Sequence, residues 1–294
     1  MIVAGVTADY GIGSGVADRL GAEYCRFFSK VFPDGESYLR LEREMKGDDV
    51  LLVQGMDSNQ DKRLFEMLMA ADAVTNAGAN NVYGLITYMA YARQDRTFGP
   101  GEPISARVAL RALHDAGISR LAVIEPHKEE ELSYFKGRSM PIEVLGSVAR
   151  EAVRITGAEK LIAPDYGSSP RVKKIAEDLG IEWDYIEKKR SRDDGSLSMG
   201  KGLERIDGVK ALVLDDMIST GGTAALAVGE AISKGAASVS VAAAHMLLVG
   251  NAYEKIKNAG ANHIFGSNST GSKGCETVDV SHETADALSR LMGD

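Results

Sequence analysis

Residues 211–232, ALVLDDMISTGGTAALAVGEAI, read as a buried strand, a pair of aspartates, a turn of small residues and a helix. The uncharged run from Ala211 to Leu214 has strand length, and the stretch after the glycines has helix length. A strand that returns as a helix is half of a βαβ unit, the building block of a parallel α/β sheet. The turn itself carries chemistry. Gly221 and Gly222 let the backbone come close to a ligand, while Ser219, Thr220 and Thr223 place hydroxyls where the helix begins. Open N–H groups and the dipole at a helix N-terminus favour an anion, so a monophosphate can be cradled here without a lysine. Asp215 and Asp216 would repel the phosphate itself, but they suit the hydroxyls of a neighbouring sugar or a hydrated Mg2+. Together these residue types ask for a sugar phosphate.

The same strand–helix rhythm runs outward to both ends of the chain. Strands are predicted at Ile2 to Gly5, Val50 to Gln54, Val82 to Thr87, Leu121 to Glu125, Lys160 to Ala163, Ala211 to Asp215, Val239 to Ala244 and His263 to Gly266. Helices are predicted over Gln60 to Ala77, Ile104 to Ala116, Pro170 to Leu179, Thr220 to Lys234, Ala252 to Ala259 and His282 to Leu291. The pattern pauses around Lys136 to Pro141, which places a domain boundary there and divides the chain into residues 1–140 and 141–294. The expected class is α/β, two doubly wound domains with largely parallel sheets and no repeat at the level of single residues. In such sheets ligands gather beyond the carboxyl ends of strands, so the residues that follow each strand carry the functional information.

Composition narrows the classes of function. The chain has 294 residues, 44% hydrophobic and 26% charged, as ordinary soluble proteins do. No segment approaches the roughly 20 uninterrupted apolar residues that span a bilayer, and the opening MIVAGVTADYG lacks the basic lead and apolar core of a signal peptide. A cytoplasmic protein with no membrane association is expected. Cys25 and Cys275 form no metal-spaced or redox pair. A net charge of −8 argues against a nucleic-acid partner, whose backbone needs a broad basic surface. Any anionic ligand must be held locally.

Further segments fit such a ligand. Phe32-Pro33-Asp34-Gly35-Glu36 sets an aromatic ring before two carboxylates around a turn. Residues 88–107, YMAYARQDRTFGPGEPISAR, follow a strand and gather Arg93, Gln94, Asp95 and Arg96 before a Gly-Pro-Gly loop. Arginines suit the oxygens of a polyphosphate, and Gln and Asp can hydrogen-bond a purine or a ribose. Glu187-Lys188-Lys189-Arg190 opens a basic burst in an acidic chain, and flexible cations suit the charge on a transferring phosphoryl group. His127 and Asp165 each stand just after a strand.

Taken in order, FPDGE, YARQDR, EKKR and DDMISTGGT resemble the ribose-phosphate pyrophosphokinase family over nearly the whole chain, in wording and length closest to its archaeal-type members. The last segment is similar to the loop of type I phosphoribosyltransferases, which lack the other three. The resemblance implies two domains of the phosphoribosyltransferase kind and transfer of the β,γ-pyrophosphoryl group of Mg-ATP to ribose 5-phosphate for nucleotide biosynthesis. It implies that Phe32, Asp34 and Glu36 of one subunit meet Arg93, Gln94 and Asp95 of another around ATP, so that the enzyme is a homo-oligomer. It further implies that Lys188 and Arg190 stabilise the transition state from a mobile flap, that His127 touches Mg-ATP, and that Asp165 helps hold Mg2+ or the ribose. By the same resemblance, Asp215, Asp216 and Ser219 to Thr223 are expected to take the ribose 5-phosphate, and the last helix to pack on the first domain.

Overall fold

The structure, a computed structural model, describes residues 1–186, 188–190, 197–199, 202–271 and 274–292. The chain divides into two compact units, Met1–Val144 with Asn268–Gly271 and Asp279–Asp294, and Leu145–Ser267 with Ser272–Val278.

In the first unit a six-stranded sheet has the order β2 (Glu23–Arg26), β1 (Ile2–Gly5), β5 (Asp49–Gly55), β6 (Asn81–Tyr88), β7 (Arg120–Ile124), β8 (Arg138–Ile142). A hairpin of β3 (Phe28–Val31) and β4 (Ser37–Arg40) stands outside that sheet. The helices are α1 (Ile12–Leu20), α2 (Gln60–Asn76), α3 (Ser105–Asp115) and, from the far end of the chain, the last helix, Ser281–Met292. Val50, Leu51, Leu52 and Val53 are consecutive and fully buried, so both faces of β5 are covered. That is why the central strands read as unbroken apolar runs rather than as alternation.

The second unit repeats the plan with β10 (Glu182–Tyr185), β9 (Lys160–Ala163), β13 (Lys210–Ile218), β14 (Ser238–Met246), β15 (Ile264–Ser267) and β16 (Glu276–Val278) side by side. Its helices are α4 (Leu145–Thr156), α5 (Ser169–Leu179), α6 (Gly222–Ser233) and α7 (Ala252–Asn258), which makes Ser281–Met292 α8. A separate antiparallel ribbon joins β11 (Lys188–Arg190) to β12 (Leu197–Met199). Every pairing within the two large sheets is parallel. Counting only their own strands, both sheets run 2-1-3-4-5-6, and both insert a two-stranded excursion between the second and third. The strand order reverses beside β1 and β5 in one unit and beside β9 and β13 in the other, where doubly wound sheets open a crevice.

Two expectations are refined. Arg138–Ile142, read as part of a pause, is the edge strand β8 paired with β7, where Pro141 lies on an outer strand and residue 140 falls mid-strand. β13 does not stop at Asp215. It continues through Asp216 to Ile218 because Met217 and Ile218 pair with His245 and Met246 of β14. Helix α1 has no counterpart among the predicted elements, since Gly13 and Gly15 weaken its pattern. The structure gives Gly15 a reason, for a Cβ there would lie 2.5 Å from the Cβ of Ser281 in α8.

Candidate functional site

In the second unit the carboxyl ends of β9 and β13 bring three predicted residues together. Asp165 follows β9, and its Oδ1 accepts hydrogen bonds from the Ser168 backbone N–H (3.0 Å) and the Ser168 hydroxyl (3.2 Å) at the entrance to α5. Asp215 and Asp216 come from β13. Burial, followed by the charges of Asp216 and Asp165, holds the Asp215 carboxyl well above the ordinary carboxylate range. Asp216 is buried and lies 3.5 Å from the Arg171 guanidinium of α5, a cation absent from the sequence reading. Such a concentration of carboxylates is relieved by a proton or by a cation. Oxygen donors of this kind fit Mg2+, which binds through one or two carboxylates and keeps several waters. Among the described residues no cluster of three or more His, Cys, Asp or Glu forms a self-contained cation cage.

The turn after β13 opens directly onto α6. Gly221 is the N-cap residue, at φ 71°, and no side chain caps the helix and no acid occupies its first turn. The leading N–H groups thus face outward with their dipole uncancelled, as an anion requires. The turn is buttressed from behind, with Lys255 of α7 donating to the Thr220 carbonyl at 2.8 Å and the Val249 N–H donating to the Ser219 carbonyl at 2.9 Å. A Cβ on Gly221 would lie 3.0 Å from the Ala252 carbonyl oxygen. Left-handed geometry costs a non-glycine residue about 1–2 kcal/mol, and the fixed backbone of α7 cannot yield. Gly221→Ala is therefore expected to weaken binding of a phosphate monoester roughly tenfold. Calorimetric titration of the two proteins with ribose 5-phosphate checks this, and equal affinities would remove the turn from phosphate binding.

In the first unit, Arg93, Gln94 and Asp95 follow β6. The Gln94 side-chain oxygen accepts from the Ser105 hydroxyl at 2.5 Å, tying the turn to the start of α3. Asp95 pairs with Lys128 at 2.5 Å, and the Tyr134 hydroxyl donates to its carbonyl at 3.0 Å. The Lys128 hydrogen bond keeps the Asp95 carboxyl below its usual range. Because Lys128 succeeds His127, this pair joins the arginine-rich turn to the histidine segment after β7. Two non-glycine residues in those segments have left-handed backbones, Tyr91 (φ 67°) and Glu125 (φ 42°). Tyr91 is tied to Asp61 through its hydroxyl, and the buried Glu125 carboxylate accepts the Val144 N–H at 2.8 Å. Strained backbone of this sort persists where its surroundings over-determine it, as functional sites do.

Beside this pair lies Glu131. Residues 128–135, KEEELSYF, look like solvated charge, but a 3-10 turn over Glu129–Tyr134 packs against α3 and buries Glu131 to 2% exposure. Neither carboxyl oxygen has a hydrogen-bond partner in the structure. Burial pushes its pKa up to about 8, against a smaller opposing pull from His127.

Phe32, Asp34 and Glu36 occupy the turn of the β3–β4 hairpin. The Phe32 N–H donates to the Glu36 carbonyl (2.8 Å), the Gly35 N–H to the Phe32 carbonyl (2.9 Å) and the Glu36 N–H to Asp34 Oδ1 (3.2 Å). All of β3 is exposed, with Phe28, Val31 and Phe32 presented to solvent. The backbones of Lys188 and Arg190 lie on β11, paired with Met199 and Leu197, while Glu187 and the side chains of Lys188 and Arg190 lie outside the described residues.

Both halves of the chain match known families, residues 1–117 the N-terminal domain of ribose phosphate pyrophosphokinase and residues 149–270 the phosphoribosyl transferase domain. The ribose-phosphate pyrophosphokinase of Saccharolobus solfataricus is 39% identical over 98% of this chain and 100% of its own length. The chain belongs to the ribose-phosphate pyrophosphokinase family. Within that family the Sulfurisphaera tokodaii member is 38% identical over 91% of this chain and 92% of its own, so the kinship to archaeal members spans both units. The fold agrees with the crystal structure of phosphoribosylpyrophosphate synthetase from Mycobacterium smegmatis, with a TM-score of 0.87, 23% identity and 99% of each chain covered.

Proposed function

We propose that the chain is a ribose-phosphate diphosphokinase that transfers the β,γ-pyrophosphoryl group of ATP to the anomeric hydroxyl of ribose 5-phosphate, giving phosphoribosyl pyrophosphate and AMP. One observation carries the reading. A single chain, related over its whole length to ribose-phosphate pyrophosphokinases, holds an aspartate–glycine turn suited to a ribose phosphate and a separate arginine-rich turn suited to a polyphosphate.

In this reading the second unit is the sugar half. The N–H groups leading α6 and the hydroxyls of Ser219, Thr220 and Thr223 hold the 5-phosphate, and Asp215 and Asp216 orient the ribose hydroxyls. The first unit is the nucleotide half, where Arg93 grips phosphate oxygens and Gln94 and Asp95 hold the nucleoside. Phe32, Asp34 and Glu36 come to that site from a second copy of the chain, in a homo-oligomer that would also cover the apolar side chains of β3. His127 and Asp165 are the residues that would hold Mg2+, which supplies neutralisation of phosphate charge when bound with the nucleotide. The anomeric oxygen attacks the β-phosphorus, the bond from that phosphorus to the α,β-bridging oxygen breaks, and AMP leaves with the bridging oxygen. The proton of the anomeric hydroxyl passes to solvent. Lys188 and Arg190 meet the charge that spreads over the transferring group, so catalysis is positioning and electrostatic stabilisation.

Incubation with Mg2+, ATP and ribose 5-phosphate is expected to release AMP and phosphoribosyl pyrophosphate in equal amounts. Appearance of ADP instead would mean transfer of a single phosphoryl group and would end this reading.

A further inference from the structure

The two crevices where strand order reverses have different contents. Beside β9 and β13 stand the carboxylates of the sugar half. Beside β1 and β5 a network internal to the protein fills the corresponding place. Gln54, fully buried at the end of β5, accepts the Thr7 N–H at 3.1 Å and the Ala8 N–H at 2.9 Å, and its amide donates to the Thr7 hydroxyl at 2.9 Å. The Thr7 hydroxyl in turn donates to Glu66 of α2 at 2.5 Å.

Glu66 is the hub. It is 2% exposed, yet it gathers the Thr7 hydroxyl, the Arg63 guanidinium at 3.1 Å, the Lys62 ammonium at 3.7 Å and the Ser37 hydroxyl at 3.0 Å. Its two oxygens accept from three donors, Thr7, Ser37 and Arg63, with the Lys62 charge close by. Ser37 is the first residue of β4 and pairs with Val31, so it sits at the base of the turn that carries Phe32, Asp34 and Glu36. A two-stranded hairpin is marginal by itself and needs an anchor. This one has an exposed β3, and the Ser37–Glu66 hydrogen bond links its turn to the network at the end of the main sheet.

We propose that Glu66 is the positioning residue of the Phe32–Glu36 turn, fixing through Ser37 the orientation in which that turn is delivered to ATP. The inference rests on the nucleotide-binding reading of the turn. It assigns Glu66 no contact with substrate.

The test uses the full-length chain with Glu66→Gln, Ser37→Ala, the double variant and Phe32→Ala. Glu66→Gln is expected to speed amide hydrogen exchange across residues 32–36 at least tenfold while β5 and β6 stay protected. It should raise KM for ATP about tenfold and leave KM for ribose 5-phosphate within twofold, the size of effect that losing a charge-assisted hydrogen bond gives. Ser37→Ala, which leaves Glu66 and its cations in place, is expected to reproduce both changes more weakly. The double variant should be no worse than Glu66→Gln alone. Unchanged exchange at 32–36, or faster exchange spread equally through β1 and β5, overturns the positioning role. Phe32→Ala separates the two levels. If it raises KM for ATP while Glu66→Gln and Ser37→Ala do not, the inference fails and the nucleotide reading survives; if it leaves KM for ATP unchanged, the nucleotide reading of the turn fails and the inference with it.

Discussion

Lys188→Ala is expected to fold and melt like the parent chain while losing roughly three orders of magnitude in turnover, the loss that removal of one transition-state donor produces. Stability is spared because, among the described residues, β11 pairs with β12 alone, in a two-stranded ribbon outside the six-stranded sheet. Turnover suffers because a cation acting on charge that develops during transfer contributes to the barrier and little to ground-state binding. KM for ATP and for ribose 5-phosphate should therefore stay near their original values while kcat falls. Steady-state kinetics with AMP as the measured product decide the matter. A variant with near-native kcat would take Lys188 out of the mechanism, and a fall in kcat/KM carried by KM alone would make it a binding residue.

Glu131→Gln is expected to stabilise the protein at alkaline pH and to change little in acid. The sign follows from the proton. An ordinary glutamate loses its proton near pH 4.5, whereas burial holds the one on Glu131 until about pH 8. Between those values the unfolded chain is ionised and the folded chain is not, so the folded state binds the extra proton. Stability from the neutral acid is fully present below pH 4.5 and is lost as pH rises through about 8. Above that value the folded chain carries an unpartnered buried carboxylate, at a cost of about 5 kcal/mol by the usual conversion from pKa to free energy. Glutamine keeps the shape and never ionises. Thermal unfolding of both proteins at pH 5 and pH 9 is the measurement, with a gap of several degrees expected only at pH 9. Parallel curves would mean that Glu131 finds a partner in solution. The same proton lies close to the Asp95–Lys128 pair, so KM for ATP in the parent chain should rise above pH 8 more steeply than in the variant.

The central strands and the turn between β13 and α6 were legible in the sequence because their physics is local. Val50 to Val53 and Leu212 to Leu214 are covered on both faces, and such strands write themselves as apolar runs. Gly221 announces a left-handed N-cap by its identity alone. The edge strands were harder. β2 and β16 are short and partly exposed, and β8 contains a proline, so none carries an apolar run or clean alternation. Long-range partners were beyond reach. Nothing in KEEELSYF marks Glu131 as the buried one of three glutamates, since that depends on how a 3-10 turn meets α3. Likewise the sequence of α2 does not mark Glu66 as buried, and only the fold shows the hydroxyls of Thr7 and Ser37 meeting it.

The placement of α8 has a consequence for how the chain is made. Its residues belong to the first unit, where Gly15 leaves room for Ser281, Arg120 donates to the Leu291 carbonyl at 2.6 Å and Arg19 pairs with Asp286. A ribosome delivers Met1 to Val144 before the second unit, but the piece that covers this side of α1 is synthesised only after it. The second unit, by contrast, draws on no residue beyond Val278. Vectorial synthesis, which usually lets the leading domain finish first, is therefore inverted here: the unit that emerges first is completed only after the second unit has been made, and the nascent chain carries it incomplete while that second unit is synthesised.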